Sequence, residues 1–83
     1  MLFFHRLFFL YVLMKKRLLK KLGLKVRDIR KAKGITQADL AYSIDKDQSS
    51  IQRLEKGRIN PSFYYLHEVA EGLGVPLKDL VDF

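Results

Sequence analysis

The residues of this chain best suited to binding chemistry are polar side chains that follow a short helical pattern over residues 48–56. Ile51 and Leu54 supply the apolar stripe of that pattern, so the side chains between them are predicted to face away from the core. These side chains are Gln48, Ser49, Gln52, Arg53 and Lys56. Amide, hydroxyl and guanidinium groups donate or accept hydrogen bonds. The pattern therefore predicts an exposed polar face.

The same sequence disfavours metal sites and catalytic sites. Residues 45–56 begin like a calcium-binding loop, but Ser50 and Lys56 occupy the places where that loop requires glycine and glutamate. His5 and His67 are far apart, and the chain has no cysteine that could complete a zinc site. No nucleophile has a base and an orienting group placed so that this small domain could preorganise them. We therefore expect no metal, no cofactor and no enzyme activity.

Length and charge indicate one small domain with an anionic partner. A chain of 83 residues forms one domain with a small core, and without cysteine it has no disulfide framework, which is compatible with a cytoplasmic location. The net charge of +7 favours a polyanion, although a basic surface also suits anionic lipid. Residues 15–33 carry ten Lys or Arg and one acidic residue, whereas residues 34–83 carry five basic and eight acidic residues. The cationic field is therefore expected at the N-terminal end.

Residues 1–14 form an apolar leader that differs from the amphipathic chain after it, with only His5 and Arg6 as interruptions. The run is shorter than the about 20 apolar residues of a membrane-spanning helix. Cations at residues 15–17 follow the run, whereas a secretory signal carries its cations before the apolar segment. Three interpretations stay open: translation beginning at Met14, an apolar arm that packs on the domain or on a second subunit, and peripheral membrane attachment, which we disfavour.

The helices that must position the polar face follow from periodicity. Apolar residues at helical spacing predict a first helix over residues 16–33, and Gly34 is a good residue to end it. The apolar residues are Leu18, Leu22, Val26 and Ile29. Gly23 costs about 1 kcal/mol inside a helix, so it either lies within this helix or divides it into a basic arm, residues 15–21, and a core helix from Leu24.

Two shorter helices follow around a tight turn. Thr36 with Asp39 forms the pattern of a capping box, which predicts a second helix over residues 37–43. Leu40, Ala41 and Ile44 are predicted to face inward. Asp47 is expected to cap a third helix, residues 48–56, by accepting a backbone N–H.

The rest of the chain predicts two further helices. Gly57 ends the third helix, and Pro61 excludes a helical conformation at the preceding residue. Ser62 then caps a fourth helix that ends before Gly74, and Pro76 precedes a short fifth helix. No alternating pattern is long enough for a strand. The predicted fold class is all-α, with five helices.

In residues 22–83 the chain resembles the Cro and phage-repressor (XRE-like) helix-turn-helix DNA-binding domain. The segments that carry the resemblance are, in chain order, IRKAKG, TQADLA, SSIQRLEKG, NPS and LGVPLKDL. The family usually has glycine at the turn position that Asp45 occupies here, and aspartate is among the few residues that tolerate positive φ. The resemblance implies a compact five-helix lambda-repressor-like domain, to which this chain adds an apolar and basic N-terminal segment.

The resemblance also implies roles for individual residues. It implies contacts with base edges by Gln48, Ser49, Gln52 and Arg53. It implies contacts with the DNA backbone by Arg30, Thr36, Gln37, Lys46, Lys56, Arg58 and Asn60. It also implies that the motif is held together by Ala41, Ile44, Ile51 and Leu54. Arg30 is expected to pair with Glu55 and so to link the first helix to the third.

The function implied is sequence-specific binding of double-stranded DNA by a transcriptional regulator, most simply a repressor that occludes a promoter. A homodimer is expected on a palindromic or pseudo-palindromic operator, with residues 77–83 and the apolar leader as candidate contact surfaces. One alternative with the same DNA-binding mode is an antitoxin or a restriction-modification controller. An alternative of another class is a membrane-surface or protein-interaction module that uses the leader and the basic run.

Overall fold

The computed structural model describes residues 2–83, with side chains from residue 4 onward, and contains five α-helices in that range. They are α1 (Leu2–Ala32), α2 (Gln37–Ser43), α3 (Gln48–Glu55), α4 (Phe63–Leu73) and α5 (Leu77–Leu80). No strand occurs among the described residues. The all-α prediction and the order of the five helices are confirmed.

Helix α1 differs most from the expectation, because it begins at Leu2 and not near residue 16. It continues through Gly23, so the glycine does not divide it. A Cβ atom at Gly23 would lie 2.4 Å from the carbonyl oxygen of Leu54 and 2.5 Å from that of Glu55. Glycine is present because α1 crosses the end of α3 at backbone contact distance, and the local cost of glycine is offset by that packing.

Glycine and polar caps set the helix ends as predicted at three places. After α1, Gly34 has φ 69°, and the N–H of Ile35 donates to the carbonyl of Arg30 at 3.1 Å, closing a Schellman motif. Thr36 Oγ1 accepts the N–H of Asp39 at 3.0 Å, and the Asp39 carboxylate accepts the N–H of Thr36. Ser62 Oγ accepts the first-turn N–H of α4 in the same way.

The cap predicted for α3 is wrong in one respect. Asp47 has the extended backbone of an N-cap, with φ −74° and ψ 147°, but its side chain makes no capping hydrogen bond. Its carbonyl accepts the N–H of Ser50 at 3.0 Å, and its carboxylate lies in solvent. Water can satisfy the first N–H groups of α3, because this end of the helix is exposed.

The turn between α2 and α3 has the geometry that the sequence pattern requires. Asp45 has φ 56°, and it is the one residue other than glycine with positive φ among those described. The N–H of Lys46 donates to the carbonyl of Ala41 at 2.9 Å, which closes the turn. The prediction that aspartate takes the usual glycine position is confirmed.

The core lies where the five helices meet and consists of small and branched apolar side chains. Its buried members are Leu22, Val26, Leu40, Ala41, Ile51, Leu54, Val69, Ala70, Leu73 and Leu80. Ile44 is half-buried and packs against them, and a Cβ at Gly72 would lie 2.8 Å from its Cγ2 atom. The molecule extends over 48 × 23 × 20 Å, because the N-terminal part of α1 projects from the core. Within residues 2–83, no helix has the length and apolar character needed to cross a membrane.

Candidate nucleic-acid interface

Helix α3 is anchored by one side and exposed on the other. Ile51 is 0% exposed and Leu54 is 1% exposed, and Glu55 is also buried. At about 100° per residue these side chains share the inner arc of the helix with Ser50. The exposed side chains are Gln48, Ser49, Gln52, Arg53 and, just after the helix, Lys56. They span an arc of about 140°, so the polar face predicted from the sequence is present.

A hydrogen bond that was not predicted fixes the inner arc of α3. Ser50 Oγ lies 2.6 Å from the hydroxyl oxygen of Tyr65 on α4, so the two hydroxyls share a hydrogen bond. Ser50 precedes Leu54 by one helical turn, which places it on the inner arc. That spacing was a signal for an inward orientation, but the partner is 15 residues away in sequence and no local pattern reveals it.

A buried ion pair joins α1 to α3. Arg30 Nε donates to Glu55 Oε2 at 2.6 Å, and Arg30 Nη2 donates to Glu55 Oε1 at 2.9 Å. The third contact of the guanidinium group is from Nη1 to the carbonyl of Ile35, at 2.9 Å. The hydrogen bond to Glu55 and its negative charge raise the pKa of Arg30 above its usual value, although burial opposes this. The predicted pair is confirmed, and Arg30 remains a cation at neutral pH.

The same carboxylate also holds the first residue of α2. Gln37 Nε2 donates to Glu55 Oε1 at 3.0 Å, so Arg30, Glu55 and Gln37 form one network across three helices. This contact uses one of the two N–H groups of the Gln37 amide, and the other can still donate to a phosphate oxygen. Arg30 is 7% exposed, and its guanidinium group is held by protein acceptors. Its geometry therefore suits positioning of Gln37 better than direct contact with a phosphate.

The remaining candidate backbone contacts lie at the start of α2, in the turn before α3 and directly after α3. Thr36 is exposed at the start of α2, where its hydroxyl already caps the helix. Lys46 Nζ lies 3.6 Å from the carboxylate of Glu68 and 5.9 Å from the centre of the Tyr65 ring. Three others cluster beyond α3 and line one shallow trough together with cations of α1. These three are Lys56, Arg58 and Asn60.

Residues 26–80 match the helix-turn-helix family HTH_3. The chain belongs to this family. The match includes α2, the turn at Asp45 and α3, together with the part of α1 that carries Arg30 and all of α4 and α5. The N-terminal part of α1, residues 2–25, lies outside the match.

This helix-turn-helix protein is similar to regulators of restriction-modification systems. Control protein C.BamHI of Bacillus amyloliquefaciens is 39% identical to it over 62 residues, which are 74% of this chain and 76% of that protein. The restriction-modification controller C.AhdI from Aeromonas hydrophila has a crystal structure that superposes with a TM-score of 0.73 at 32% identity, covering 75% of this chain and 94% of that one. The controller C.Esp1396I, solved as a tetramer with its natural 35 base-pair operator, superposes with a TM-score of 0.68 at 30% identity, covering 78% of this chain and 96% of that one.

Proposed function

We propose that this protein binds double-stranded DNA at specific sequences, with α3 in the major groove, and regulates transcription by occupying a promoter. The observation that carries the proposal is the division of α3 into a buried apolar arc and an exposed polar arc. An α-helix fits a major groove about 12 Å wide, and side chains on its outer arc then reach base edges. Occupancy of the site is sufficient for this activity, and no catalytic step is required.

Four side chains of the exposed arc are assigned to base contacts: Gln48, Ser49, Gln52 and Arg53. Gln48 lies at the first turn of α3, where a recognition helix enters the groove, and Arg53 lies on the same arc. A glutamine amide can bond adenine through two atoms, and an arginine can bond guanine at O6 and N7. Each such pair discriminates by about 1–3 kcal/mol. Gln48 and Arg53 are therefore the main determinants of specificity in this proposal.

Gln37 and the cations around α3 are assigned to the DNA backbone. Gln37 begins α2, where backbone N–H groups and the helix dipole favour a phosphate oxygen. Its side chain is held in place by Glu55, which is held in turn by Arg30. Arg30 thus acts on DNA through Gln37. The peripheral contacts come from Thr36, Lys46, Lys56, Arg58 and Asn60.

A second copy of the chain completes the DNA-binding unit. One module buries limited surface on DNA, and half-sites about 34 Å apart allow two modules to bind one face of the duplex. Residues 77–83 lie beside a groove of roughly 470 Å³, and Val81 and Phe83 are 53% and 51% exposed. The groove is lined by apolar side chains that include Leu18, Leu22, Pro61 and Leu66. Its apolar lining makes it the surface that we assign to the homodimer.

Selection of bound duplexes from a random pool tests this function. The purified full chain is incubated with the pool at a stated salt concentration, because affinity for DNA depends steeply on salt. The expected outcome is a pseudo-palindromic motif whose halves are separated by about one helical turn or a multiple of it. Equal recovery of all duplexes would contradict specific regulation and leave only nonspecific binding.

A restriction-modification controller is the more specific function that the similarities favour. The chain spans 94% of C.AhdI and 76% of C.BamHI, so the likeness extends over nearly the whole of one controller and most of the other. Under this proposal the selected motif occurs upstream of the gene for this protein, in a cluster that also encodes a DNA methyltransferase. A motif found only at promoters without such genes would favour a separate repressor.

A further inference from the structure

Residues 7–14, in the N-terminal part of α1, are apolar on every side. At about 100° per residue, Leu7, Tyr11 and Met14 form one stripe, and Phe9 and Leu13 lie on the opposite side. Tyr11, Met14 and Phe9 are 64%, 69% and 63% exposed. A helix that is apolar all round is normally enclosed by protein or by lipid. The rest of the chain covers this segment on neither of these two sides.

A collar of cations follows this apolar segment directly. Residues 15–21 contain five Lys or Arg, all exposed, and the first acidic residue of the chain is Asp28. At about 100° per residue the five cations are distributed around the axis and do not share one face. The collar therefore surrounds α1 at the level where the apolar segment ends. Its members are Lys15, Lys16, Arg17, Lys20 and Lys21.

We infer that this part of α1 inserts into the surface of an anionic lipid bilayer. The apolar segment, residues 2–14, is on the order of 20 Å long, and the hydrocarbon core of a bilayer is about 30 Å thick. The segment is therefore too short to cross, and at an oblique angle it stays within one leaflet, whose hydrocarbon half is about 15 Å deep; the collar then lies at the level of the phosphate headgroups. Arg6 lies within this segment, so the helix enters obliquely and the long Arg6 side chain extends back to the headgroups.

A bilayer accounts for the segment better than a second copy of the chain does. A helix partner would cover one stripe, for example the one that carries Tyr11, and would leave Phe9 and Leu13 in water. In a parallel pair the two cationic collars would also lie side by side and repel each other. Lipid can cover the Tyr11 stripe and the side that carries Phe9 and Leu13 at once, and anionic headgroups are complementary to the collar.

The inference is tested with the full chain and lipid vesicles. Tyr11→Trp places a single tryptophan on the apolar segment, because the chain has none. With vesicles of phosphatidylcholine and phosphatidylglycerol, we expect a blue shift of its emission and quenching by brominated acyl chains. The protein should float with these vesicles and much less with pure phosphatidylcholine.

Substitutions on the side of α1 opposite the Tyr11 stripe show whether the partner of α1 is lipid or protein. Phe9→Ser with Leu13→Ser should lower vesicle affinity at least tenfold, since each removes an apolar side chain from the leaflet. The matched control is Tyr42→Ser, which removes an aromatic side chain that is 90% exposed on α2. It should leave vesicle affinity unchanged.

Charge substitutions test the collar. Changing Lys15, Lys16 and Arg17 together to Gln should weaken binding to anionic vesicles by about fivefold for each charge removed. The matched control removes three cations elsewhere, at Lys31, Lys33 and Lys78, all of them exposed. It should have a much smaller effect. Equal losses of vesicle affinity in both triple variants would show that binding depends only on the net charge of the protein, and this would overturn the inference.

A different result would identify a second copy as the partner. If the Tyr11→Trp emission shifts to the blue with rising protein concentration in the absence of vesicles, and does not change further when anionic vesicles are added, α1 is covered by protein and the inference is wrong. Failure of vesicle binding leaves the DNA proposal untouched. The random-pool selection tests the DNA proposal separately.

Discussion

The buried pair of Arg30 and Glu55 provides the sharpest prediction about how the DNA-binding face is held. Their side chains are 9% and 3% exposed, and the pair makes two hydrogen bonds at 2.6 and 2.9 Å. Removing one partner leaves a buried charge without its counterion, which typically destabilises a protein by about 3–5 kcal/mol. Replacing both with apolar residues of similar volume removes the uncompensated charge and is often nearly neutral.

We therefore expect Arg30→Met and Glu55→Met each to cost about 3–5 kcal/mol, while the double variant costs far less than the sum. For a domain of this size, each kcal/mol lowers Tm by roughly 4–8 °C, so each single variant should melt more than about 12 °C below the wild type. Urea unfolding followed by circular dichroism at 222 nm measures the cycle. If a single variant is unfolded in buffer alone, its unfolding free energy and that of the wild type are both measured in added sulfate, which stabilises folded states.

The double variant also separates stability from DNA binding. It is expected to fold, but Gln37 loses the acceptor that holds its side chain. Its affinity for the selected operator should fall by about tenfold, roughly the value of one hydrogen bond to a charged group, while the preferred sequence stays the same. Two results would refute the description of a coupled buried pair. One is a double variant whose loss of unfolding free energy equals the sum of the two single losses, and the other is a loss below about 1 kcal/mol in each single variant.

Three further predictions concern the backbone. Gly23→Ala should destabilise by about 1–3 kcal/mol, because the added Cβ meets the backbone of α3; a gain of about 1 kcal/mol, the usual effect of alanine in a helix, would contradict this packing. Asp45→Gly should stabilise by up to about 1 kcal/mol, since φ at this residue is 56°, whereas Asp47→Gly, at φ −74°, should not. Thr36→Ala should cost about 0.5–2 kcal/mol and Asp47→Ala clearly less, because only Thr36 makes a capping hydrogen bond. Urea unfolding measures all of them, and equal losses at the two caps would be inconsistent with the structure.

Local sequence signals predicted most of the domain. Glycine at Gly34 and Gly74, and the hydroxyl caps at Thr36 and Ser62, act on the backbone within a few residues of their own position, so their effect is visible in the sequence. Apolar spacing predicted the buried positions of α3 for the same reason, because Ile51 and Leu54 need only face one side of a short helix.

Features that depend on distant partners were not visible in the sequence. The bonds from Gln37 to Glu55 and from Ser50 to Tyr65 join residues 18 and 15 apart in sequence. Gly23 weakens a helix locally, and only the crossing with α3 explains its presence. Residues 2–14 lack a polar face, so periodicity could not identify the N-terminal part of α1 as a helix.

The central claim is that the exposed arc of α3 contacts base edges, and Arg53→Ala tests it most directly. The affinities of wild type and variant are measured for every single-base change of the selected operator at one salt concentration. The account predicts that the variant loses about 1–3 kcal/mol of discrimination at one base pair in each half-site and keeps its preferences elsewhere. A uniform loss of affinity at all positions, with every preference retained, would show that Arg53 contacts only the backbone and would contradict the assignment.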